Sequence, residues 1–159
     1  MSIKSQVHTE LNRLAARAVS GPLTLRLNLG DGTLEATFTQ VDQLACAFEH
    51  FSYRVDKLAS ATVDQLTDIA KTLSKRLGYL LESISPMEVD EGACVVQMRS
   101  NPPHKDDDGT RYYELVVARG ELTLCRFARV SNQPRTVVAA NVTREVFERL
   151  VEDFVAAVA

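Results

Sequence analysis

The chain has 159 residues, of which 45% are hydrophobic and 25% are charged, and its formal net charge is −3. This composition is typical of one globular domain spanning residues 1–159 and excludes wholesale disorder. The acidic balance argues against a protein that its overall field holds on nucleic acid or on an anionic membrane, and no apolar run approaches the ~18 residues of a membrane helix.

The first elements are a helix and a hairpin. Residues 3–19 predict an amphipathic helix, because their apolar residues recur at helical spacing. This apolar stripe comprises Ile3, Val7, Leu11, Leu14, Ala15 and Ala18. Residues 23–29 and 33–39 then alternate apolar with polar side chains on either side of a glycine-rich turn. That alternation predicts a β-hairpin.

Residues 42–58 fit two structures. A helical stripe runs through Leu44, Ala47, Phe48, Phe51, Val55 and Leu58. A strand is equally consistent with the segment if its phase changes at Glu49-His50, as a β-bulge requires. The aromatic content favours the strand by a narrow margin, and both interpretations stay open.

The rest of the chain predicts a second helix, a meander of strands and a terminal helix. Thr62 and Gln65 have the spacing of a capping box at the start of the second helix. The strand-like runs lie near 80–89, 93–99, 111–119, 121–130 and 135–141. The last helix begins after Asn141 or Thr143, and its apolar face is wider than one small sheet needs. We therefore predict a single-domain α+β fold with three helices (N-terminal, central and C-terminal) and a largely antiparallel sheet of about seven to eight strands.

This order of helix, strands, helix, strands and helix resembles the fold of type III secretion chaperones. The resemblance covers most of the chain as an order of elements, without a shared motif and with more strands in the second half. It implies a homodimer that binds a partner polypeptide, and not an enzyme.

The cysteines and the N-terminus bear on the compartment. Cys46, Cys94 and Cys125 are far apart, and each lies in an apolar run without a C-x-x-C pair. We expect three reduced thiols, with no zinc site and no disulfide. The N-terminus lacks the apolar region of a secretion signal, so we expect a cytoplasmic protein.

The polar segment 99–114 concentrates the candidate site residues. Two strand-like runs enclose it, and such loops often carry function. The candidate ligand-binding or partner-binding residues are Arg99, His104, Asp106, Asp107, Asp108, Arg111 and Tyr112. The aspartates lack the alternating spacing of a calcium loop, and Asp108-Gly109 is also an ordinary turn. We predict no metal, no cofactor and no catalytic residue.

Three functions follow from these observations, in order of preference. The first is a non-catalytic, chaperone-like module that binds a protein partner as a homodimer, because no catalytic constellation is evident and the terminal helix has a broad apolar face. The second is a small-ligand or metal-dependent enzyme with its site in the 99–114 loop. The third is weak nucleic-acid binding through a sheet that bears arginines. Arg126 and Arg129, an odd number of residues apart, should point to opposite faces of that sheet.

Overall fold

The computed structural model describes residues 1–17 and 21–159. Three α-helices and ten strands are present among them. The helices are α1 (Ile3–Ala15), α2 (Val63–Arg76) and α3 (Arg144–Val158). The strands are β1 (Leu23–Asn28), β2 (Gly32–Val41), β3 (Ala45–Val55), β4 (Ile84–Asp90), β5 (Val95–Ser100), β6 (His104–Asp106), β7 (Gly109–Ala118), β8 (Glu121–Arg129), β9 (Thr136–Val138) and β10 (Ala140–Thr143). Short 3-10 helices follow β3 at Asp56–Leu58 and α2 at Leu77–Leu80.

All strands belong to one antiparallel sheet. The main order is β1-β2-β3-β8-β7-β5-β4, and β10, β6 and β9 pair with β3, β7 and β8 respectively. The predicted α+β class, the three helices and the antiparallel sheet are confirmed. The strand number is higher than predicted for two reasons. Residues 104–106 pair with β7 inside the expected loop, and the run near 135–141 divides because its first half pairs with β8 and its second half with β3.

The ambiguous segment 42–58 contains a long strand. Thr37 of β2 pairs with His50 of β3, whereas the next residue, Phe38, pairs with Phe48. One residue of β3 is therefore left over, and this is the bulge that the phase change at Glu49-His50 requires. The bulge keeps both Phe48 and Phe51 buried.

The helix boundaries follow from their caps. The predicted capping box is present, because the Thr62 hydroxyl accepts from the backbone N–H of Gln65 and the Gln65 side chain accepts from that of Thr62. Thr143 caps α3 by accepting from the N–H of Val146, which confirms the later of the two predicted starts. The N-terminal helix is confirmed over Ile3–Ala15, and its predicted continuation over 16–17 is wrong, because Ala16 caps the helix. The part of its predicted range at 18–19, including Ala18, lies outside the described residues.

The terminal helix buries its apolar face inside the fold. Phe147 and Phe154 of α3 pack against phenylalanines of β2 and β3, with ring centroids 4.8–6.0 Å apart within the group. The same helix contacts α1 and α2. The apolar face is wide because α3 packs against three neighbours, namely the sheet, α1 and α2. It is not an uncovered surface, so the width of this face no longer supports a dimer.

Asp42 fixes the turn that leads into β3. Its Oδ1 accepts from the backbone N–H groups of Leu44 (2.9 Å) and Ala45 (2.8 Å). The two backbone hydrogen bonds, from Ala45 first and then Leu44, lower the pKa of the Asp42 carboxyl. Hydrogen bonds to a carboxylate favour its charged form, so ionised Asp42 holds this turn more firmly than protonated Asp42.

A pH series of the variant Asp42→Asn tests this turn. A lowered pKa in the fold means that the carboxylate stabilises the protein above the unfolded value of about 3.9, and that this contribution is lost as pH falls through the lower folded value. We expect wild type to exceed Asp42→Asn in urea midpoint at pH 6 and the difference to shrink below about pH 4. A difference that is constant from pH 6 to pH 2 would contradict the assignment.

Candidate functional site: the open face of the sheet

The helices cover one face of the sheet and leave the other partly exposed. Along β7, for example, Leu115 and Val117 are fully buried, whereas the alternate Val116 and Ala118 are only half-buried. Leu115 and Val117 belong to a single hydrophobic core cluster that also contains residues of all three helices. We call the opposite side, which bears the alternate residues, the open face.

An apolar ladder crosses three strands of the open face. Tyr112 of β7 pairs with Phe127 of β8, and Phe127 pairs with Val137 of β9. Directly paired residues of antiparallel strands point to the same face, so the three side chains lie side by side. The rings of Tyr112 and Phe127 are 5.8 Å apart, and Val137 is 49% exposed. We call these three residues the apolar ladder.

Two arginines and a buried glutamate adjoin the ladder. The Glu114 carboxylate accepts at Oε2 from Arg135 (2.6 Å) and from Arg99 (3.2 Å). The Arg135 guanidinium also lies 3.8 Å above the Phe127 ring and donates to the Tyr112 hydroxyl at 3.3 Å. Together these five residues form what we call the arginine–aromatic cluster.

The charges of this cluster are unequally exposed. The Glu114 side chain is 8% exposed, whereas those of Arg99 and Arg135 are 51% and 40% exposed. The hydrogen bond with Glu114, and after it the one with Tyr112, raises the pKa of Arg135, so its guanidinium stays charged. Two half-exposed cations therefore share one covered anion. Their outer N–H groups remain accessible to a carboxylate or a phosphate, for which the guanidinium geometry is suited.

Cys125 and His50 lie beside the cluster but do not form an activated pair. The Cys125 Sγ is 3.2 Å from Nδ1 of His50. Burial, and after it the charge of Glu114, raises the pKa of the Cys125 thiol. The nucleophile in cysteine chemistry is the thiolate, so this environment opposes the reaction that the pair suggests.

The predicted site residues divide between two places. Arg99 and Tyr112 belong to the arginine–aromatic cluster, and the Arg99 guanidinium is 5.7 Å from the Tyr112 ring centre. His104 and the three aspartates form an exposed hairpin tip, where Asp106 accepts from the N–H of Asp108 and lies 3.7 Å from His104. Arg111 is exposed and pairs in register with His104.

The aspartates do not form a metal site in the described part of the chain. Across residues 1–17 and 21–159, no group of three or more His, Cys, Asp or Glu side chains is arranged to hold a metal ion. Asp106–Gly109 instead closes a tight turn, and Gly109 has a φ of +133°. A Cβ atom at Gly109 would clash with the Arg129 carbonyl oxygen, so glycine is required there.

Sequence reasoning missed Glu114, Phe127 and Arg135 as site residues. Counting outward from Gly120, which separates the predicted runs 111–119 and 121–130, would have paired Tyr112 with Phe127. The prediction that Arg126 and Arg129 point to opposite faces agrees with the strand register, because Arg126 pairs with Tyr113 and Arg129 with Thr110.

A cavity of about 600 Å³ lies elsewhere, between the N-terminal parts of α1 and α3. Buried Arg144 donates there to the His8 carbonyl (3.2 Å) and to the Asn12 side chain (2.7 Å). Buried Glu148 lies 3.0 Å from Nδ1 of His8. These polar groups are hydrogen-bonded or ion-paired with one another, and they connect α1 to α3. We therefore assign the side chains around this cavity a structural role. The open face is the better candidate for a functional site.

No protein-family model, no curated protein and no solved structure matches this chain. The resemblance to type III secretion chaperones therefore stays a prediction. Each of the described helices falls short of the length and apolar character needed to cross a bilayer.

Proposed function

We propose that this chain is a non-catalytic protein-binding module that holds a segment of a partner polypeptide on the open face of its sheet. The observation that carries the proposal is the apolar ladder of Tyr112, Phe127 and Val137, which lies on the open face between half-exposed arginines. Tyrosine and arginine are among the residue types most enriched at the energetic centres of protein interfaces. The element order that resembles secretion chaperones supports the same interpretation.

The ladder is suited to an extended segment. Its three side chains run across the strands, and each stands on a separate strand of a continuous hydrogen-bonded sheet. Such a rigid platform loses little conformational entropy on binding, which lowers the cost of association. The ladder is short, so we expect micromolar affinity for a single segment.

Selection of peptides from a random display library tests the proposal and does not require the sequence of the partner. We expect enriched sequences that compete with one another for one site. The variant Val137→Asp should weaken them at least about tenfold, because it places a carboxylate in the ladder. Val89→Asp is the matched control: Val89 is 44% exposed, and it lies on β4 outside the ladder.

Two results would contradict the proposal. One is a library that yields no competing sequences after several rounds. The other is a set of peptides that bind wild type, Val137→Asp and Val89→Asp equally well, because such peptides use another surface. Urea unfolding of both variants provides the check that each is folded.

The homodimer and the cytoplasmic location are further parts of the proposal. The dimer rests on the resemblance in element order alone, since α3 buries its apolar face within the fold. Sedimentation equilibrium tests it directly. A dimer has twice the chain mass of 17.6 kDa, and a mass of 17.6 kDa at all concentrations would remove the dimer from the proposal. The cytoplasmic location is supported by Cys46, Cys94 and Cys125, which are free thiols.

A further inference from the structure

The charges around the apolar ladder are predominantly positive, although the chain as a whole is acidic. Lys105 of β6 pairs with Thr110, and Thr110 pairs with Arg129 of β8. Thr110 lies two residues from Tyr112 in β7, so this row of side chains also belongs to the open face. Lys105 and Arg129 are exposed, and among the described residues neither makes an ion pair.

Cations therefore flank the ladder on both sides. Arg99 lies on the side of Glu114, and Lys105 and Arg129 lie on the side of Thr110. The fourth, Arg135, reaches from the start of β9 over Phe127 to Glu114. The ladder and the two cross-strand rows beside it, one through Glu114 and one through Thr110, contain a single carboxylate among the described residues. It is that of Glu114, and its side chain is almost fully covered.

The acidic hairpin tip does not cancel this local charge at the ladder. Asp106 pairs with Gly109 and so projects from the opposite side of the sheet to Lys105. Asp108 and Asp107 are four and five residues from Tyr112, which is roughly 13 Å or more along an extended strand. The Debye length at physiological salt is about 8 Å, so the tip acts weakly at the centre of the ladder.

Elsewhere on the open face two arginines are paired with glutamates across strands, and Glu88 and Asp90 of β4 add negative charge. Arg26 faces Glu35 at 3.8 Å, and Arg54 faces Glu121 at 3.9 Å. The excess of positive charge is thus confined to the surroundings of the ladder. A partner that fills this surface must supply both apolar side chains and negative charge.

We infer that the open face binds an acidic polypeptide segment, whose apolar side chains contact Tyr112, Phe127 and Val137 and whose carboxylates contact Arg99, Lys105, Arg129 and Arg135. This inference rests on the proposed function and names the chemistry of its partner. A single-stranded nucleic acid is the less suitable occupant. The Arg135 guanidinium already covers one face of the Phe127 ring at 3.8 Å, which removes that face as a platform for base stacking. The net charge of −3 on the whole chain also opposes a nucleic acid.

Three synthetic peptides and one oligonucleotide test the inference. The peptides are twelve residues long, alternate a charged or polar residue with valine or phenylalanine, and differ only in carrying Glu, Gln or Lys at the alternate positions. Twelve-residue oligouridylate is the fourth probe. Binding to the full chain is measured by fluorescence anisotropy at two salt concentrations. We expect the Glu peptide to bind at least about tenfold more tightly than the Gln peptide, with an affinity that falls as salt rises.

Charge variants on the open face supply the second arm. Arg129→Gln and Lys105→Gln should each weaken the Glu peptide by about two- to fivefold, the effect of one exposed ion pair. Arg54→Gln is the matched control, because it removes the same charge from the same face outside the ladder, and we expect it to leave the affinity unchanged. All three side chains are exposed, so the variants should fold as wild type does.

The outcomes separate this inference from the proposed function. If the Gln peptide binds as tightly as the Glu peptide and Val137→Asp abolishes both, the preference for acidic segments is wrong and the protein-binding surface stands. If oligouridylate binds more tightly than every peptide, both are wrong. Failure of all four probes to bind at millimolar concentration, or equal effects of Arg129→Gln and Arg54→Gln, overturns the inference.

Discussion

Replacing Phe147 with alanine should lower the free energy of unfolding by about 3–5 kcal/mol. Phe147 is fully buried in α3, and its ring is 5.0 Å from that of Phe38 and 5.7 Å from that of Phe51. The substitution removes the ring that joins α3 to two strands. It leaves a cavity that rigid β-sheet neighbours cannot close. Urea unfolding followed by circular dichroism gives the value.

Two variants calibrate this result. Phe147→Leu keeps most of the buried volume, so it should cost less than half as much as alanine. Leu44→Ala removes an aliphatic side chain that is 81% exposed, and it should change stability by less than about 0.5 kcal/mol. A loss below about 1 kcal/mol for Phe147→Ala would mean that α3 does not pack on the sheet as described.

The second large effect is expected for Arg126. Its guanidinium is 2.7 Å from the Glu82 carboxylate, and the two side chains are only 12% and 14% exposed. The guanidinium also lies 4.5 Å from the centre of the Tyr113 ring. Arg126→Met should lower the unfolding free energy by about 3–5 kcal/mol at pH 7, because it leaves Glu82 charged, covered and without its counter-ion.

Removing both charges should restore most of that loss. Two buried atoms of the pair, Oε1 of Glu82 and Nη1 of Arg126, have no hydrogen-bond partner among the described residues. An imperfectly satisfied pair contributes little net stability, so the double variant Glu82→Leu/Arg126→Met should lie within about 1 kcal/mol of wild type. A double variant as unstable as Arg126→Met alone would show that the pair itself stabilises the fold.

The local elements of this fold could be predicted because the residues that define each of them lie close together in the sequence. The Thr62–Gln65 capping box and the glycine-rich turn between residues 29 and 33 each depend on residues a few positions apart. The bulge at Glu49 could be located from the phase change of the apolar residues alone. The division between β9 and β10 could not, because it depends on which strand each half joins, and β10 pairs with a strand far away in the sequence, Val142 with Cys46.

The candidate site was predictable only in part for the same reason. Arg99 and Tyr112 lie in the polar segment 99–114, in which the candidate residues were predicted. Arg135 comes from a loop well beyond it, and only the register of β9 on β8 brings it to Glu114. The three aspartates were predicted as candidate site residues, but they lie at the exposed hairpin tip and not in the arginine–aromatic cluster. Neighbours along an extended hairpin point to alternate sides, so their concentration in sequence does not produce convergence in space.

The central claim is that the open face around the apolar ladder is the binding surface. Two-dimensional amide spectra of the isotope-labelled protein, recorded with and without a peptide from the display selection, test it most directly. We predict that the largest shift changes fall within 109–113, 126–129 and 136–138. Changes confined to the helices, or to the cavity between α1 and α3, would contradict the claim.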